Sequence, residues 1–196
     1  MAKGPKGFSE DEKELLRSKL RLKCEESWAL HGYKKTSISE LTASIGISTG
    51  AFYLLYPSKE ELFCETLARV QEQLTTTLRQ VIKEVGGLEG FRQAMIWHFD
   101  EYDKRPFLYD FNSPDFLAFI NKLPQVKIDL LKFDSVASFE EMIQLTGLTL
   151  AISQEKAFAA LSSLLYTVTN KERVSYDHRE VFSFLLDGLL LQLFTQ

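Results

Sequence analysis

Three helix starts crowd into residues 37–61, and this punctuation constrains the fold more than any other feature of the sequence. Ser37 with Glu40 has the spacing of a capping box, in which each side chain meets a backbone N–H that the first helical turn leaves free. The helix it opens directs Ile38, Leu41 and Ile45 toward a core, and Gly46 breaks it. Ile47 supplies an apolar contact in the turn, Ser48 caps a second helix from Thr49 to Leu55, and Pro57 stops that one. Ser58 with Glu61 is a second capping box and opens a long helix that runs toward Val85. Two short helices joined across a glycine-containing turn make a helix-turn-helix, a shape whose second helix fits the major groove of DNA.

The remainder of the chain keeps a helical period. Leu16, Leu20 and Cys24 recur every four residues and Trp28 continues the stripe, predicting a first helix over residues 10–30 that Gly32 ends. After Gly86 and Gly87, the residues Leu88, Phe91, Met95, Phe99 and Tyr102 hold the period to residue 104. Ser113-Pro114-Asp115 is a good start for a short helix. Further helices are expected within residues 126–146, from Ser153 onward, and over residues 177–194. Only five prolines and ten glycines occur in 196 residues, and no strand or hairpin signal is found, so the expected fold is all-α. A small three-helix module over residues 1–58 is expected to hand over, through a helix beginning near residue 59, to a larger helical part over residues 59–196.

Several function classes are disfavoured. Residues 1–23 mix acidic and basic side chains without an apolar run, so no secretory signal is read there. The longest apolar stretch, residues 181–194, is interrupted by Asp187 and Gln192 and is shorter than the ~20 residues that span a bilayer. A cytoplasmic location is expected. Cys24 and Cys64 make neither a disulfide framework nor a metal site, and no cofactor is expected. His31, His98 and His178 fall in no metal motif, and neither a nucleophile elbow nor a phosphate loop occurs, so an enzyme is not expected. The net charge of -4 at first argues against nucleic acid. Its distribution does not: residues 1–70 carry eleven basic against ten acidic side chains, and residues 71–196 carry twelve against seventeen.

The stretch His31-Gly32-Tyr33-Lys34-Lys35-Thr36-Ser37-Ile38-Ser39-Glu40-Leu41, then Ile45-Gly46-Ile47-Ser48-Thr49-Gly50-Ala51-Phe52-Tyr53, then Tyr56-Pro57-Ser58-Lys59-Glu60-Glu61-Leu62, closely resembles the TetR family of transcriptional regulators. The resemblance covers about the first third of the chain. Thr42 and Ser27 stand where that family commonly has Ala and Leu, and Leu54-Leu55 where it has polar or aromatic residues.

The resemblance implies a DNA-binding domain over residues 1–58, a ligand-binding and dimerisation domain over residues 59–196, and a homodimer on a palindromic operator. It implies a repressor that an unknown small-molecule effector releases; the alternative is a helical protein–protein adaptor that has lost sequence-specific DNA binding. Helix N-termini with free N–H groups suit phosphates, and Thr36, Ser37, Ser48, Tyr53 and the ammonium of Lys59 are expected to contact the DNA backbone. Thr49, Gly50, Ala51 and Leu54 are expected at the bases, through methyl contacts and close backbone approach. None of them is an Arg, Asn or Gln suited to bidentate pairing, so recognition leans on shape. Trp97, His98, Tyr102, Phe116 and Phe119 are expected to line the effector pocket. Leu161, Leu165, Val168, Phe182, Leu185 and Leu189, on the last two helices, are expected at the dimer interface.

Overall fold

The computed structural model describes residues 8–170 and 175–195, and among these it contains ten α-helices and no strand. In chain order they are α1 Glu10–Lys35, α2 Ile38–Ser44, α3 Thr49–Leu55, α4 Lys59–Val85, α5 Gly87–Lys104, α6 Pro114–Ile120, α7 Gln125–Leu131, α8 Ser135–Thr146, α9 Gln154–Leu165 and α10 His178–Leu193. Single-turn 3₁₀ segments follow α5 (Pro106–Leu108) and α9 (Tyr166–Asn170). No single helix among the described residues is long and apolar enough to cross a membrane.

The helix starts follow the capping chemistry of the sequence. Ser37, Ser48, Ser113 and Ser153 each accept a backbone N–H three residues on. The reciprocal capping box forms at Ser9 and Glu12. At Ser37 and Ser58 only the serine half of each expected box is made, and at Ser58 the Glu61 carboxylate is instead taken by Lys127.

The chain forms two compact units, and they divide it differently from the expected boundary at residue 58. One comprises residues 1–70 and 110–132, the other residues 71–109 and 133–196. Helix α6 accounts for the difference, because its aromatic face completes the core of the first unit. Trp28 packs against Phe63 at 4.7 Å and Phe119 at 5.3 Å, Tyr33 meets Phe63 at 5.0 Å, and Phe116 stacks on Trp28 at 6.2 Å. Phe116 and Phe119, expected in an effector pocket, are therefore core residues of the first unit. Truncating such buried aromatics costs roughly 3–5 kcal/mol.

A second tie fastens α6 to α1. The Asp115 carboxylate accepts the backbone N–H of Tyr33 at 2.5 Å and that of Lys34 at 3.0 Å. It can do so because Gly32 breaks the helical backbone with φ 81° and has no side chain. A Cβ there would lie 2.7 Å from Asp115 Oδ2, so glycine is required both for the positive φ and for the close approach. The break ends the first regular helix, as expected, and a separate turn over residues 33–35 follows it.

In the second unit, Leu78, Ile82, Phe91, Met95 and Phe99 pack with Phe139, Met142, Leu161, Leu165, Val168, Phe182, Leu186 and Leu190. Phe99 and Phe182 stack at 4.1 Å. Leu161, Leu165, Val168 and Phe182, expected at a dimer interface, are thus buried within their own unit, and Leu189 is half-buried. Leu185 alone of the six is exposed. The reason is that α10 is apolar on two faces. Phe182, Leu186, Leu190 and Leu193 face the core, while Val181, Phe184, Leu185 and Leu191 lie exposed on the other side.

Candidate nucleic-acid interface

Helices α2 and α3 meet at 95° across the Ile45–Ser48 turn, the angle of a helix-turn-helix. Phe52 and Leu55 anchor α3 inward, followed by Tyr56, and all three are buried. Two polar ties hold its C-terminal end. The Arg17 guanidinium donates to the Leu55 carbonyl at 2.9 Å and lies over the Tyr56 ring. The Tyr56 hydroxyl donates to Glu65 at 2.8 Å, and Arg21 bonds the same carboxylate. Fixed on that side, α3 presents Thr49, Gly50, Tyr53 and Leu54 outward, with Ala51 half-buried. Leu54 is 67% exposed and Tyr53 56%, although the Tyr53 ring also meets that of Phe52 edge to face at 5.3 Å.

Gly50 has no structural need to be glycine. Its φ is not positive, and an added Cβ would meet only the Ser48 hydroxyl, at 3.7 Å. Exposed helical glycine costs roughly 1 kcal/mol relative to alanine, so the bare backbone suits close approach of another molecule.

The expected phosphate contacts divide. Ser37 and Ser48 sit at helix starts with their hydroxyls capping Glu40 and Ala51 N–H groups. Thr36 is buried instead. Its hydroxyl bonds the Gly32 carbonyl at 2.8 Å and pairs with Ser27 at 2.9 Å, which gives Ser27 its role in place of an apolar residue. Thr42 is likewise accommodated, its buried hydroxyl donating to the Ile38 carbonyl at 2.9 Å. Lys59 also turns inward. Its ammonium donates to the Tyr33 carbonyl and lies 4.1 Å from the centre of the Tyr33 ring, and burial pulls its pKa below the ordinary lysine value. A cation so engaged braces Tyr33 rather than facing a phosphate.

Sequence reasoning passed over Lys34 and Lys35. Both are exposed at the end of α1, directly before the Ser37 cap, and neither makes an ion pair among the described residues. Two consecutive lysines before a helix start were the available signal. They matter because Glu40 is the only charged side chain between Thr36 and Ser58.

Residues 25–66 match the family model described as bacterial regulatory proteins, tetR family. That match gives the N-terminal module a tetR-type helix-turn-helix, over about a fifth of the chain. Solved structures of similar fold include the fatty acid degradation regulator FadR of Bacillus halodurans, at 17% identity and TM-score 0.63 over 97% of each chain. FadR of Bacillus subtilis in complex with stearoyl-CoA is similar at 17% identity and TM-score 0.61, over 89% of this chain and 98% of that one. NalD, the secondary repressor of the MexAB-OprM multidrug efflux pump in Pseudomonas aeruginosa, is similar at 20% identity and TM-score 0.55, over 95% and 100%. No curated protein matches the sequence. The matched residues span the end of α1, then α2, α3 and the start of α4, the elements whose geometry is described above.

Replacing Gly50 with Ala separates folding from recognition. The variant is expected to gain up to about 1 kcal/mol of stability in urea unfolding while losing tenfold or more in affinity for cognate DNA. Unchanged affinity would remove Gly50 from the contact surface.

Proposed function

We propose that this chain is a sequence-specific DNA-binding transcriptional regulator, acting as a homodimer on an inverted repeat and released as a repressor by a small-molecule effector. The observation that carries the reading is the outward face of α3. Thr49, Gly50, Tyr53 and Leu54 are exposed on a helix anchored at Phe52, Leu55 and Tyr56. Ser37 and Ser48 approach the phosphates beside it, and Lys34 and Lys35 supply the charge. Base recognition rests on methyl contacts from Thr49, Ala51 and Leu54 and on groove shape.

One seven-residue reading helix provides too few contacts for operator affinity, so two copies read half-sites about one DNA turn apart, roughly 34–36 Å. The exposed stripe of α10 supports this pairing. Val181, Phe184, Gly188 and Leu191 fall at spacings of three and four residues on one face, Leu185 adjoins them, and the face opposite is buried. Exposed apolar faces of this kind mark association surfaces. The effector is assigned to the second unit, against α5 at Trp97, His98 and Tyr102. Its binding releases DNA by favouring a dimer geometry with lower operator affinity.

Binding of purified protein to its own upstream DNA, across a salt series and against random DNA, tests the regulatory reading. Four lysines in a dimer predict a log–log salt slope of about -4. The double variant Lys34→Ala, Lys35→Ala is expected to weaken binding on all sequences and flatten the slope by at least two. A folded dimer that binds no inverted repeat better than random DNA, in a genome-wide selection as well, would favour the adaptor reading. Separately, Phe184→Glu is expected to give a folded monomer in analytical ultracentrifugation, with operator affinity reduced by a hundredfold or more. A variant that stays dimeric would move the interface elsewhere.

A further inference from the structure

Helix α5 carries a polar ring where its geometry calls for an apolar one. Phe91, Ala94, Met95 and Phe99 are buried along its inward face, and helical spacing puts His98 on that same face. The imidazole Nδ1 is closed to water and has no hydrogen-bond partner among the described residues. Tyr102, one turn on, meets the imidazole edge to face at 4.6 Å, and Tyr109 lies 5.4 Å from Tyr102. Yet His98 and Tyr102 both keep some accessible surface despite their inward position. A ligand that reaches the pair would therefore approach from the side on which both rings stay accessible. A buried nitrogen without a partner is unfavourable, and a ligand group that bonds it recovers that free energy.

The electrostatics restrict what that ligand is. Burial keeps the imidazole neutral, its pKa pushed down to about 4. A neutral ring offers one N–H and one lone pair, which a hydroxyl or an amide meets in either tautomer. Glu101, three residues on, is buried with its carboxylate engaged by Lys104 and Arg105. Elsewhere in the unit Arg79, Arg92 and Arg179 hold Glu141, Asp187 and Asp100, and Lys83 and Lys156 are exposed. An anion brought to His98 would find a neutral ring, a nearby carboxylate and, among the described residues, no released cation to offset its desolvation.

We infer that His98, backed by Tyr102, is the polar anchor of the effector site and selects an uncharged molecule with an apolar body and one hydroxyl or amide group. This rests on the regulatory function proposed above and narrows it, since carboxylates and phosphate esters are excluded as the anchoring group. The acyl-CoA held by a relative of the same fold is not the model for this ligand.

Two matched probe pairs test the inference on the full chain at pH 8: 1-decanol against decanoate, and 1-naphthol against 1-naphthoate. Binding is read by the ¹⁵N shift of the His98 imidazole and by thermal shift, for the native chain, His98→Phe and His98→Gln. The uncharged member of at least one pair is expected to bind tenfold or more tightly than its anion and to move the His98 resonance. His98→Phe is expected to fold and lose tenfold or more of that affinity, while His98→Gln, which keeps a donor and an acceptor, retains most of it. Preference for the anion in both pairs, binding of neither pair, or full affinity in His98→Phe would overturn the inference. If His98→Phe does not fold, the probe preference and the His98 shift in the native chain decide. Inverted-repeat DNA binding is measured on the same samples. DNA binding with anion preference overturns the ligand class alone, and probe binding without DNA binding overturns the regulatory function instead.

Discussion

The Asp115 carboxylate on the Tyr33 and Lys34 N–H groups is the contact on which the first unit depends. It holds the backbone where Gly32 has left the helical path, and everything that frames the reading helix starts from that break. The Gly32 carbonyl accepts both the N–H and the hydroxyl of Thr36, so the direction of the chain entering the Ser37 cap is set there. Tyr33, the next residue, faces α4: its carbonyl takes the Lys59 ammonium and its hydroxyl bonds Glu60. Lys122 and Lys127, from the same segment as Asp115, pair with Glu60 and Glu61. The arrangement thus gives residues 110–132 a direct hold on both the helix before the reading head and the helix after it.

The reading surface itself is nearly uncharged, and this shapes the kind of recognition it supports. All of the acidic excess lies beyond residue 70, while the cations near α3 are either turned inward, as Lys59 is, or confined to Lys34 and Lys35. Long-range attraction to DNA is correspondingly modest, and non-specific binding is expected to be weak with a shallow salt dependence. Specificity then rests on the fit of Thr49, Gly50 and Leu54 to the groove, where an exposed leucine and an unneeded glycine make sense together.

Elements governed by local chemistry were legible in the sequence. Ser37, Ser48, Ser113 and Ser153 cap helices because the hydroxyl and the N–H it meets are three residues apart, a relation that needs no knowledge of the fold. The all-α architecture and the helix-turn-helix followed from such signals. What remained hidden depends on partners distant in the chain. The Asp115 tie joins residues 82 and 81 apart in sequence, and nothing local marks that carboxylate as different from its neighbours. Phe116 and Phe119 read as the lining of an effector pocket until Trp28 and Phe63 are seen against them. Period alone told that α10 is apolar, yet not which of its two apolar faces turns inward. Lys59 illustrates the same limit for charge, since a lysine at a helix start serves a phosphate or a tyrosine equally well on paper.

The central claim is that the segment carrying α6 is part of the DNA-reading unit and sets its geometry through Asp115. Hydrogen exchange and operator affinity measured together on Asp115→Ala test this most directly. The account predicts that the Tyr33 and Lys34 amides exchange at least tenfold faster, that the amides of α3 keep their protection, and that operator affinity falls about tenfold. Faster exchange at Tyr33 and Lys34 with undiminished operator affinity would contradict it.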